Sequence, residues 1–289
     1  MRIRSNGVEL FYREAGSPDG PTIVLLHGYP SSSFTFRNIV EPLAETTHVL
    51  AFDMPGFGLS EAPPEGCITF AWIARTLEQA LMEMGVSSYY LYMHDWGTIV
   101  GYMMALSAPS KVLGIILQNG AAHAEGHGLS WDAAKAFWAA PTAENRASLG
   151  EWMNFEGVRN EYCGGLPESG VALLSPECWH YDWERLSRPG VIERMFALFC
   201  DVKSHFENFS AISDFHKRRQ PPCLILWGRH DTFFEMEEIC AYQRELNFVE
   251  AHILDGGHFL LESHHQECAA LIKRFIGGSY DGANCGQSG

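Results

Sequence analysis

The chain is short of basic residues, with 20 Lys and Arg against 35 Asp and Glu in 289 residues, a formal net charge of −15. A surface of that sign repels phosphate backbones and anionic headgroups, so no nucleic acid or membrane partner is expected. Long apolar runs are missing too; nothing approaches the roughly 20 residues a bilayer-spanning helix needs. Met1-Arg2-Ile3-Arg4 leads into polar chain, so no secretory leader is expected. The eight cysteines (67, 163, 178, 200, 223, 240, 268, 285) form no CxxC pair and no tight framework. Reduced thiols in a cytoplasmic protein are the economical reading, some of them small core residues such as Cys223 beside Leu224-Ile225-Leu226. His123 and His127 stand four apart, but Gly126 and Gly128 argue against a helix aiming both at one metal. No metal and no cofactor are expected. Internal repeats are absent, and so are low-complexity tracts before the Gly/Ser-rich end.

What is present is a chain 46% hydrophobic and 19% charged, enough for one large core. Asn6-Gly7 between two alternating runs reads as a hairpin turn. Apolar β-branched runs then alternate with helical periodicity: strands over 22–26, 48–52, 89–93 and 112–117, helices over 36–43, 70–84 and 96–108. Such alternation implies crossovers and a mostly parallel, doubly wound α/β sheet. The rhythm breaks after Gly120. From 121 to 207 the chain offers helical fragments rich in Trp, Phe and Tyr and no strong strand. It resumes with a strand over 223–227, a helix near 235–246, a strand over 249–254 and a helix over 262–275. The expected organisation is a core of residues 1–120 and 208–276, an inserted helical cap of 121–207, and a flexible tail of 277–289.

His94-Asp95-Trp96-Gly97 sits between the strand over 89–93 and the helix over 96–108. A sharp strand-to-helix corner with a reactive side chain at its tip is the nucleophile elbow of the α/β-hydrolase fold, and the tip usually holds Ser. Here it holds Asp95. A carboxylate is ionised at neutral pH and needs no base to attack. On an ester carbonyl it would make an anhydride; on a saturated carbon bearing oxygen or halogen it makes an alkyl ester that water can cleave. The choice of Asp therefore points to an epoxide or an alkyl halide.

Two later loops supply the water-activating groups. Trp227-Gly228-Arg229-His230-Asp231 and Asp255-Gly256-Gly257-His258-Phe259 each follow a strand, placing Asp231 and His258 at the sheet's C-terminal edge. The order nucleophile, acid, histidine is that of the hydrolase triad. Each has an ordinary alternative: a helix cap for Asp231, a packed loop residue for His258. Asp255 is the other acid in reach, too near His258 in sequence to occupy a separate strand end. Asn119 stands where some relatives keep a carboxylate. The backbone N–H groups of Tyr29 and Trp96 are the candidate oxyanion hole. The alternative there is an ordinary strand-ending turn, and Tyr29-Pro30 is a candidate cis bond.

These stretches together (His27-Gly28-Tyr29-Pro30, Asp53-Met54-Pro55-Gly56-Phe57-Gly58, His94-Asp95-Trp96-Gly97, Trp227 to Asp231, Gly257-His258) resemble the epoxide hydrolase and haloalkane dehalogenase branch of the α/β-hydrolase superfamily. Met93 departs from the pattern, which often has Gly at that elbow position. The resemblance implies two cap tyrosines donating to the epoxide oxygen, yet 200–205 reads Cys-Asp-Val-Lys-Ser-His. Tyr162 and Tyr181 remain as cap candidates, with His180 and His205 behind them. His27, Pro30, His94 and Phe259 complete the expected surroundings of an apolar small-molecule substrate. The His-Gly-aromatic-Pro pattern favours epoxide hydrolysis to a diol. A haloalkane or haloacid dehalogenase with the same three groups is the first alternative, since the Trp96 indole suits a halide. A non-hydrolytic cyclase or isomerase is the second. The protein is expected to be a monomer or a homodimer.

Overall fold

The computed structural model describes residues 1–62, 68–150 and 152–278. Cys67, Cys285 and residues 279–289 of the expected tail lie outside them. Eight strands form one sheet in the order β1-β2-β4-β3-β5-β6-β7-β8. They are β1 (Arg2–Ser5), β2 (Val8–Ala15), β3 (Thr22–Leu26), β4 (His48–Phe52), β5 (Tyr89–His94), β6 (Val112–Gln118), β7 (Cys223–Gly228) and β8 (Val249–Leu254). The β1–β2 and β2–β4 pairs are antiparallel and the remainder are parallel. Every residue of β3, β4 and β7 is buried, which is why these strands read as unbroken apolar runs.

Helices cover both faces of the sheet: α1 (Arg37–Ala44), α2 (Phe70–Glu83) and α3 (Trp96–Ser107) between the early strands. Among the described residues between β6 and β7 the regular structure is helical. It comprises α4 (Asp132–Ala139), α5 (Ala143–Ser148), α6 (Phe155–Cys163), α7 (Glu168–Val171), α8 (Glu177–Leu186), α9 (Val191–Asp201), α10 (Lys203–Glu207) and α11 (Phe209–Arg219). The last of these packs on α3, so the chain is back on the sheet side before β7. Helices α12 (Glu237–Glu245) and α13 (Leu261–Gly277) finish the fold. The expected helix starting at Phe36 is a 3-10 turn, Ser33–Phe36, leading into α1, with Ser32 as its cap.

The β5–α3 corner is built by close approach. Asp95 sits at φ 49° and ψ −122°, a left-handed backbone rare outside glycine. The departure at Met93 is accommodated one helical turn on. A Cβ at Gly101 would meet Met93 Sδ at 2.3 Å, so glycine there gives the Met93 side chain its space. Among the described residues no helix is long and apolar enough to cross a membrane. The six described cysteines are unpaired.

Candidate active site

The strand ends bring Asp95, Asp231 and His258 together from β5, β7 and β8. Asp95 projects from the corner, 8% exposed. Its Oδ2 accepts the Tyr29 N–H at 2.8 Å, and the Trp96 N–H is a second backbone donor to the same carboxylate. A Cβ at Gly28 would stand 2.4 Å from that oxygen, so only glycine lets the β3 loop wrap the carboxylate so closely. Burial raises the Asp95 pKa, opposed by the His258 charge and the two backbone donors. The Tyr29–Pro30 bond is cis.

His258 Nδ1 lies 2.8 Å from Asp231 Oδ2, and both side chains are 1% exposed. Asn119 donates from Nδ2 to the same Oδ2 at 2.8 Å and is itself pinned by the Gly228 N–H to its Oδ1 at 2.9 Å. The amide at the end of β6 therefore supports the acid at the end of β7. Asp231 also partly fulfils its ordinary alternative: Oδ1 accepts the Phe233 N–H at 2.7 Å, closing the turn that follows. Asp255 faces away, its Oδ1 held by His230 at 2.8 Å and Arg229 at 3.0 Å. Nε2 of His258 is buried and has no hydrogen-bonding partner among the described residues.

Burial alone would lower the His258 pKa, but the Asp231 charge and hydrogen bond, with the Asp95 charge, raise it to about 9. The sign follows by linkage. A histidine bound more tightly to its proton in the folded state contributes stability below its unfolded value near 6.5, and loses it as pH rises through about 9. The melting temperature is expected to fall across that interval, and Asp231→Asn to flatten the decline. Melting curves at a series of pH values check this.

A cavity of about 260 Å³ opens over the corner, lined by Asp95, Tyr29, Trp96, Trp131, Trp152, Phe199, Phe233 and Glu161 among others. Its walls come from the elbow, from helices between β6 and β7, and from the loop after β7. The expected Tyr29, Asp95 and Trp96 line it. The six residues expected around the substrate do not. His27 spends both ring nitrogens on backbone, contacting Gly28 O at 2.9 Å and accepting the Met54 N–H at 3.0 Å. Pro30 lines a separate hollow with Phe57 and Arg194. His94 contacts Gln118 O at 3.1 Å and packs beneath His258, ring centroids 4.6 Å apart. Tyr162 stacks on Phe259 at 3.9 Å and turns its hydroxyl to Asp182 at 2.5 Å. Tyr181 stacks on Phe34 at 4.5 Å. Of the further donors, His205 contacts Ala121 O at 2.7 Å, and His180 packs on Phe155 with centroids 5.0 Å apart.

Glu161 was not foreseen, although the sequence carries a signal for it. Val158, Glu161 and Tyr162 fall at i, i+3 and i+4 of α6 and form its buried face. An acid on an apolar stripe is the anomaly.

One group could suit a cation elsewhere: ligand atoms of His123, His216 and Glu245 lie within 4.8 Å of one another. Their ring nitrogens are already engaged, by Glu238 and Glu245 for His123, by Glu245 and Tyr102 for His216. The arrangement is a closed hydrogen-bond network, not an open coordination shell. His127 stands apart from it, contacting His123 O at 3.1 Å.

A mostly parallel sheet wound on both faces, with a carboxylate at the β5–α3 corner, defines an α/β-hydrolase. The chain belongs to the alpha/beta hydrolase family, whose model matches residues 23–271. It is similar to an uncharacterized hydrolase of Saccharomyces cerevisiae, 31% identical over 90% of each chain. Epoxide hydrolase 3 of Mus musculus is 27% identical over 95% of this chain and 75% of that one. A haloalkane dehalogenase of Bradyrhizobium diazoefficiens is 37% identical over a shorter stretch, 38% of this chain and 35% of that one.

Proposed function

We propose that this chain opens epoxides to diols through a covalent ester on Asp95. The observation that carries the reading is the setting of Asp95: a buried carboxylate with Oδ2 held by the Tyr29 N–H, sharing its surroundings with a paired His258 and Asp231. With Oδ2 held, Oδ1 is the oxygen that attacks a ring carbon. In the second step the two backbone donors bear the negative charge on the ester oxygen, as an oxyanion hole does. His258 takes a proton from water, and Asp231 fixes its tautomer and balances its charge.

The charge state alternates usefully. His258 is protonated while Asp95 is ionised, because that negative charge helps hold its pKa near 9. Alkylation removes the charge, the pKa falls, and the imidazole becomes free to act as base. The helical segment 121–207 acts as the cap, and the aromatic walls select an apolar epoxide of modest size, fitting about 260 Å³.

Incubation with styrene oxide, a straight-chain terminal epoxide and bromohexane tests this reading. Diol from at least one epoxide, exceeding bromide release, is expected. Bromide release without diol would favour the dehalogenase reading, in which the Trp96 indole lining the cavity receives the halide.

A further inference from the structure

We propose that Glu161 is the acid that protonates the epoxide oxygen as the ring opens. The proposal rests on the reading of Asp95 as nucleophile and names the group that reading leaves open. Breaking the carbon–oxygen bond leaves the electron pair on oxygen as an alkoxide, too basic to depart without an acid beside it. The tyrosines expected for that work are turned elsewhere; Tyr162 donates to Asp182 and Tyr181 packs on Phe34.

Glu161 lines the same cavity as Asp95 and Trp96, on the wall contributed by α6. It is 8% exposed and has no hydrogen bond or ion pair among the described residues. The other buried acids among the described residues, most of them away from this cavity, are all partnered. Asp53 accepts the Ser33 and Leu59 N–H groups, and Glu238 meets His123. Glu262 holds Arg37, Asp182 accepts from Tyr162, and Asp95 accepts from Tyr29. A buried carboxyl with no partner carries a cost that the fold has no packing reason to bear. Its surroundings also set its protonation. Asp95 and Asp231 already place two negative charges around the single His258. Burial, with those two carboxylates, keeps the Glu161 proton on well above the ordinary range, His258 opposing only in part. A neutral carboxylic acid facing the cavity is a donor.

The protons balance. Oδ1 of Asp95 bonds to carbon, the ring carbon–oxygen bond breaks, and the oxygen takes the Glu161 proton. The Glu161 carboxylate so formed takes the proton of the His258 imidazolium, which leaves a neutral imidazole. Water then attacks the ester carbonyl carbon, and one of its protons passes through His258 to the departing alkoxide. The other is left on the Asp95 carboxyl and returns to His258, so the enzyme ends as it began.

The test is made in a His258→Gln background with whichever epoxide of the panel the wild-type enzyme turns over fastest. The rate of adduct formation on Asp95 is read by intact-protein mass spectrometry. Glu161→Gln, which keeps the shape but cannot give up a proton, is expected to slow the adduct at least about 100-fold, with Glu161→Asp recovering part of the rate. An undiminished rate in Glu161→Gln overturns the proposal. No adduct with Glu161 intact overturns the nucleophile reading, and this proposal with it. Infrared spectra give a readout that a packing role would not move. A protonated-carboxyl stretch at neutral pH, lost in Glu161→Gln, is expected; an ionised Glu161 overturns the proposal. Should the Gln variant not fold, Glu161→Asp serves both measurements, through a slowed adduct and a shifted stretch.

Discussion

Replacing His258 with glutamine is expected to stop turnover after a single covalent event per molecule. The first step needs no proton transfer by the imidazole, because Asp95 attacks as an ionised carboxylate. The second needs a base at water, and glutamine offers none. Steady-state diol formation should fall by about 10⁴-fold or more, the scale seen when a member of such a unit is removed. The protein should accumulate one adduct equal in mass to the epoxide. Intact-mass and peptide mapping check both points. The variant should fold, since glutamine can still meet Asp231, whose Oδ2 also keeps Asn119 and whose Oδ1 keeps Phe233. Loss of diol with no adduct would mean that His258 acts before the covalent step, as the base for direct attack by water.

Asp95→Asn carries the other large effect. An amide is uncharged and a poor nucleophile, so diol formation should fall by about 10⁴-fold or more, with no adduct even in a His258→Gln background. Stability should move the other way or not at all. The Asp95 carboxylate is buried and its pKa is raised, so its charge opposes folding, while an asparagine oxygen can still accept the Tyr29 N–H. A variant that melts no lower than wild type yet is inactive separates chemistry from folding. Full activity in Asp95→Asn would favour the cyclase or isomerase alternative.

Much of the fold was legible because strands buried on both faces must be apolar throughout, and the polar residues that end those runs mark the sheet's C-terminal edge. His27-Gly28 follows β3 and His94-Asp95 closes β5 for this reason, and the elbow could be read from Asp95 between two apolar stretches. The cavity wall was not legible. Residues 161 and 162 are neighbours on α6, so their side chains leave the helix about 100° apart. Which of them meets the cavity depends on how the helix is rolled, which packing against Phe259 and Asp182 decides. The resemblance points to Tyr162, whereas Glu161 lines the cavity. Asn119 shows the same limit: its place at a strand end was visible, but not that its amide would brace Asp231.

The most direct measurement is a single turnover in heavy-oxygen water with enzyme in excess over epoxide. If Asp95 forms the ester, water attacks the carboxyl carbon, so the label should enter the Asp95 peptide and the first diol formed should be unlabelled. Label in the diol and none in Asp95 after that one turnover would mean that water attacks the epoxide itself, and no bond to the carboxylate is ever made.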